Sequence, residues 1–100
     1  MARKIIWTEP ALSDLETIAD FIALDKPAAA RLLVQKVFEK VALLARFPNL
    51  GTIPPEIRDM PYRQLILPPC RLFYRVQRSS LFIVAVIRGE RKLTPEMIER

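Results

Sequence analysis

The sequence predicts a two-layer α+β domain. An antiparallel helical hairpin, preceded by one short strand, packs on a mostly antiparallel sheet in the order β-α-α-β-β-β. Three observations carry this. Two consecutive segments in the first half repeat their apolar residues at helical spacing, and each opens on a helix-start signal. The last third alternates or runs apolar like strands. The chain has 100 residues, of which 51% are hydrophobic, so it is one domain long and able to bury a core.

The elements follow in order. Arg3–Trp7 is short and β-branched, as an N-terminal strand would be. Thr8 then serves as N-cap, with Pro10 in the first helical turn, where a missing N–H costs nothing. Apolar residues at 11, 12, 15, 18, 19 and 22 form one face of a helix reaching about Ala23. Asp14, Glu16 and Asp20 take the other face. Asp25-Lys26-Pro27 is a second start signal, with Asp25 as N-cap, and the next helix runs from Lys26 to Arg46. So short a connection forces the helices back on each other.

Four prolines between Pro48 and Pro61 predict an extended loop, tethered by Leu50, Ile53 and Ile57. Tyr62–Leu67 is a strand, broken by Pro68-Pro69-Cys70. Arg71–Val76 alternates, with Leu72, Tyr74 and Val76 on one face and Arg71, Phe73 and Arg75 on the other. Gln77–Ser80 is a turn. Leu81–Ile87 is apolar throughout, as expected of a central strand covered on both faces. Thr94-Pro95-Glu96 starts a short C-terminal helical turn.

Composition excludes several chemistries. There is 1 Cys and no His, so internal disulfides, His-based metal sites and Ser–His or Cys–His nucleophiles are ruled out. No metal or other cofactor is expected. No signal peptide or membrane span is visible, and the expected compartment is the cytoplasm.

Sixteen Lys and Arg against 11 Asp and Glu leave a net charge of +5, which points to an anionic partner. The excess lies in the sheet half. Arg63, Arg71, Arg75, Arg78, Arg88, Arg91 and Lys92 face a single acid, Glu90, between Pro61 and Lys92. Arg71 and Arg75 flank Phe73 on one strand face. Two readings fit that strip: a solvated outer face, or a surface for phosphate backbone or an acidic peptide. The binding residues expected on the second reading are Arg63, Arg71, Phe73, Arg75, Arg88, Arg91 and Lys92. Trp7 reads as helix packing, Tyr62 and Tyr74 as half-buried sheet residues, and Cys70 as a small filler. Glu56 reads as a solvated charge; as a general base it would need both an elevated pKa and a neighbouring Arg cluster. On this reading an Arg71→Ala/Arg91→Ala variant keeps its fold.

In order and at this length, the segments resemble the RelE/ParE superfamily of bacterial type II toxins. Trp7-Thr8-Glu9-Pro10-Ala11, with Asp14, Leu15 and Ile18, resembles that family's first helix. Leu43–Gly51 resembles its second helix and exit loop. Tyr62–Leu65, Arg71–Val76 and Val86–Arg91 resemble its sheet. The resemblance implies a growth-inhibiting toxin, of the plasmid-stabilisation type, neutralised by an antitoxin encoded beside it. That partner typically wraps an acidic C-terminal segment around the toxin, and the pair can reach DNA through the antitoxin.

Two activities are implied by the family. RelE-like members cleave mRNA in the ribosomal A site without a metal. ParE-like members block DNA gyrase and have no recognised hydrolytic site. Arg71 and Arg91 occupy the places of family arginines, and Arg63 lies near a family basic position. With Glu56, these are the catalytic candidates if the chain is RelE-like. The RelE-like C-terminal Tyr is absent, with Met97 about where it would stand, and the His of other relatives is replaced by Ile87-Arg88. These departures favour a ParE-like toxin acting on gyrase over a ribosome-dependent endoribonuclease. A plain basic nucleic-acid-binding module, or a degenerate toxin that only binds antitoxin, are the remaining readings.

Overall fold

The computed structural model describes residues 2–100; Met1, the first residue of the basic N-terminal run, lies outside it. The elements are β1 (Lys4–Trp7), α1 (Glu9–Ala23), α2 (Pro27–Leu44), β2 (Arg63–Leu67), β3 (Cys70–Gln77) and β4 (Ser80–Arg88). Single 3₁₀ turns occupy Pro55–Ile57 and Pro95–Met97. The α+β order is the one expected. The sheet runs β1-β4-β3-β2, with β1 parallel to β4 and the other pairs antiparallel. No helix of the described residues is long and apolar enough to cross a membrane.

Thr8 caps α1 as predicted and also ties it to the sheet. Its Oγ1 accepts from Ala11 N (3.3 Å) and donates to Ile83 O (2.9 Å). Asp25 is not a cap. Helix α2 begins one residue late for it, with Lys26 at the cap position and no side-chain hydrogen bond there. The helix also stops at Leu44, short of Arg46, as Arg46 and Phe47 bond back to Leu43 O and Ala45 O accepts from Arg3 N. Trp7 packs on Phe38 of α2 at 5.0 Å between ring centroids, as helix packing requires.

The register explains why β4 must be apolar throughout. Phe73 pairs with Ala85 but Tyr74 pairs with Ile83, so Val84 is an extra residue, a β-bulge. Alternation changes phase there. Leu81, Ile83 and Val86 join Leu15, Leu33, Val37, Leu44, Leu72 and Tyr74 in the main core under the helices. Val84, Ala85 and Ile87 point the other way.

That second face is covered at β4, as its apolar run predicted, and the departure lies at the β3 strip. It is not a solvated outer face. Phe73, Val84, Ala85 and Ile87 are buried beneath Ile57 of the proline loop and Leu93 and Ile98 of the C-terminal segment. Strand alternation alone does not show whether the outward residues meet water or another segment, because the cover comes from irregular chain distant in sequence. Burying a side chain the size of Phe73 contributes about 2–3 kcal/mol, enough to hold an irregular cover in place. Arg78, in the two-residue β3–β4 turn, sits at φ 56°, a left-handed conformation that favours Gly.

Candidate functional site

The predicted basic strip keeps Arg71, Phe73 and Arg75 on one face of β3, but most of it is covered. Strand β3 turns Arg71 and Phe73 to the covered face, and Arg71 is only 9% exposed. Its guanidinium meets Glu56 in a two-pronged ion pair, Nη1 to Oε2 and Nη2 to Oε1, both 2.8 Å. Nε (3.0 Å) and Nη2 (2.8 Å) also donate to Gln64 Oε1, and Nη1 donates to Arg91 O (3.3 Å). A guanidinium has five N–H bonds, and all five point at protein acceptors here. The group also lies 5.0 Å from the Phe73 ring centroid.

Glu56 is therefore no solvated charge. Besides the Arg71 fork, its Oε2 accepts from Leu93 N (3.0 Å), so one carboxylate ties the proline loop to both β3 and the C-terminal segment. The Arg71 hydrogen bonds, opposed by burial and helped by the Leu93 N–H, hold its pKa at about 2 against an ordinary 4.5. Pairing with Glu56 raises Arg71 further above its ordinary value. A folded pKa below the unfolded one stabilises the fold above pH about 4.5 and loses that contribution as pH falls toward 2. In acid titrations followed by circular dichroism, Glu56→Gln should lose the part of the pH dependence lying in that window. An unchanged acid limb would show that Glu56 is not ionised against Arg71.

The other candidates lie elsewhere. Arg63 leaves β2 on the helix side, where Nη1 donates to Gly51 O (2.8 Å). Arg75 covers the Phe82 ring at 4.5 Å, toward the β3–β4 turn, and its Nη1 donates to Gln77. Arg88, at the end of β4, pairs with Glu90 (2.8 Å) and lies 5.7 Å from the Phe21 ring of α1. Arg91 and Lys92 are exposed on the C-terminal segment. Arg71 thus contacts Glu56 and the backbone of Arg91, while Arg63, Arg75 and Arg88 stand apart.

Three features were not legible from residue type. Tyr74 is fully buried, not half-buried. Its hydroxyl donates to Pro48 O (2.7 Å) and accepts from Gly51 N (2.9 Å), and burial pushes its pKa up. Gln64, a polar residue beside an apolar run, was the one available signal for the Arg71 network. Asp14 faces the sheet and not solvent. Its Oδ2 accepts from Val86 N (3.1 Å), on the stretch of β4 beyond its pairing with β1, and it ion-pairs with Arg100 (2.6 Å). Cys70 is a buried filler, and burial pushes its thiol pKa up.

A groove stands open beside the C-terminal segment. It runs between α1 and the end of β4, is lined by Thr17, Phe21, Val86, Arg88 and Arg91 among others, and has a volume of about 500 Å³. Phe21 is 65% exposed at its wall. Asp14 and Glu90 line it too, and Arg88 is paired with Glu90, so the charges at this wall are mixed around an exposed apolar ring.

Known proteins are similar to this chain in sequence and in fold. Residues 5–93 match the family described as the ParE toxin of the type II toxin–antitoxin system parDE. Toxin RelE2 of Caulobacter vibrioides is 27% identical over 89 residues, covering 88% of this chain and 97% of that protein. A chain of the chromosomal ParDE toxin–antitoxin system from P. aeruginosa superposes with a TM-score of 0.74 at 29% identity, covering 89% of this chain and 98% of that one. A mutant of the E. coli toxin RelE in the free state shares the fold, with a TM-score of 0.63 at 17% identity over 90% of this chain and 86% of that one. With 89 consecutive residues accounted for by one family, and its helical hairpin and sheet in place, the chain belongs to the ParE toxins of type II toxin–antitoxin systems.

Proposed function

We propose that this toxin acts by binding and not by cleavage, that its target is DNA gyrase, and that a cognate antitoxin with an acidic C-terminal segment neutralises it. One observation carries the reading. Every N–H of the Arg71 guanidinium is already held by Glu56, Gln64 and the Arg91 carbonyl. RNA cleavage needs cations free to meet charge developing on a phosphate, and a proton donor and acceptor beside them. Arg71 offers no free donor, and the Tyr74 hydroxyl is buried and bonded at both its proton and its oxygen. Arg91 and Lys92 are exposed and enter no ion pair among the described residues, which supports a partner segment of acidic character.

The test uses the purified chain in two assays. Gyrase supercoiling should stall while mRNA in a ribosome-dependent translation mix stays intact. Cuts at fixed codon positions, with supercoiling untouched, would replace this reading with the endoribonuclease one. Inactivity in both assays, with antitoxin binding retained, would leave a degenerate toxin.

A further inference from the structure

The charge count by sequence halves misses a cluster that only the fold assembles. Three segments meet at the end of the sheet that holds the β3–β4 turn. Arg3 N donates to Ala45 O (2.9 Å), which brings the N-terminal segment to Arg46 at the end of α2. Lys4 N donates to Ser79 O (2.9 Å), and Arg3 Nε donates to Arg78 O (3.3 Å), which brings both to the turn. Arg75 lies on β3, in the register position facing Phe82 and two residues before Gln77, which pairs with Ser80. Lys4, Arg46 and Arg78 are exposed, and Arg3 and Arg75 are partly exposed. None of the ion pairs among the described residues involves any of them.

We propose that this end of the sheet, formed by Arg3, Lys4, Arg46, Arg75 and Arg78, binds the phosphate backbone of duplex DNA. Cations outside any ion pair, gathered at one end of the sheet, create a field that an anionic polymer satisfies by releasing counterions. Arg78 gives independent support. It occupies a left-handed turn position where Gly is favoured, and a side chain held there at a backbone cost is a reason to look for its use. An acidic peptide fits less well. Added strands gain affinity from free backbone groups, and here Arg3 N is taken by Ala45 O and Lys4 N by Ser79 O. An unstacked single strand needs exposed aromatic faces. Arg75 already covers Phe82, which leaves Phe47, next to Arg46, as the ring such a strand would have to use.

The experiment measures anisotropy of a short labelled duplex with the full chain, from about 50 to 200 mM salt. Binding should weaken steeply with salt. The variant Lys4→Gln/Arg46→Gln/Arg78→Gly should bind roughly tenfold or more weakly, with the salt slope reduced by about 2–3, close to one unit per lost phosphate contact. Its thermal midpoint should match the parent, since Gly suits the turn. If it melts early, Lys4→Gln/Arg46→Gln serves instead, with a slope loss of about 2. Arg31→Gln, on the exposed side of α2, should bind as the parent does.

Unchanged affinity and slope in the triple variant would overturn the proposal. So would tighter binding to a single strand that Phe47→Ala abolishes, or equal occupancy by poly-glutamate. The assay contains no gyrase, so its failure leaves the reading of the target where it stood.

Discussion

Arg71→Ala should destabilise the protein by about 3 kcal/mol, because it leaves the Glu56 carboxylate buried without its partner. The side chains of the pair are 11% and 13% exposed. The loss also strips Gln64 Oε1 and the Arg91 carbonyl of their donors and removes the cation above Phe73. For a domain of this size that corresponds to a fall in Tm of roughly 12–24 °C. Calorimetry checks it. Arg91→Ala, by contrast, should stay within about 0.5 kcal/mol of the parent, since its side chain is exposed and its carbonyl survives. The sequence-based expectation that an Arg71/Arg91 double substitution spares the fold is therefore reversed at Arg71. Lost toxicity in such a variant would report a lost structure and not a lost phosphate contact. A double-mutant cycle with Glu56→Gln and Arg71→Met isolates the coupling. A Tm unchanged in Arg71→Ala would remove the structural role and return Arg71 to the list of binding residues.

Gly51→Ala should cost about 2–3 kcal/mol through overpacking, read from the urea midpoint at constant m value. A Cβ at Gly51 would stand 2.5 Å from Gln64 O, 2.7 Å from Tyr74 Oη and 2.8 Å from Tyr74 Cε1. None of these can yield cheaply. Gln64 O is held by Thr52 N (3.0 Å), and the Tyr74 hydroxyl is held by Pro48 and Gly51. Relief would have to come from lifting the proline loop off β2. Tyr74→Phe keeps the ring and loses only the hydroxyl contacts, so it should cost less, about 1 kcal/mol. A Gly51→Ala protein as stable as the parent would mean that the loop does not dock as described.

The two effects share a cause. Irregular chain, the proline loop and the C-terminal segment, is bound to the sheet by a few buried polar groups. Glu56 joins three pieces at once, and Tyr74 joins the loop to β3 through two backbone groups. Such contacts link residues 15 to 37 positions apart and leave no periodic trace along the chain. Helical spacing, the Thr8 cap and strand alternation are local, and they were legible. The asymmetric cover was not. Residues that alternate outward look the same whether they meet water or a folded-back tail.

The candidate site divides in the same way. Its residue types, arginines with a glutamate nearby and no histidine, were readable, and so was the family resemblance carried by their order. Which arginines are free was not, because pairing depends on distances across the fold. Arg71 is the most engaged of them, whereas nothing local ties Lys4 and Arg46 to the end of the sheet that holds Arg78, from which they are 74 and 32 positions distant along the chain.

Sequence alone determined the α+β class, the order of elements, the excess of arginine in the second half and the absence of histidine chemistry. These follow from composition and from periodicities of two and 3.6 residues. Only the tertiary structure decided that Arg71 and Glu56 hold the fold together and that the proline loop and C-terminal segment cover the Arg71–Phe73 side of β3. It also decided that an unpaired basic end is assembled from three distant segments. Charge and polarity are written in the chain, but whether a charge is partnered is a property of the space around it.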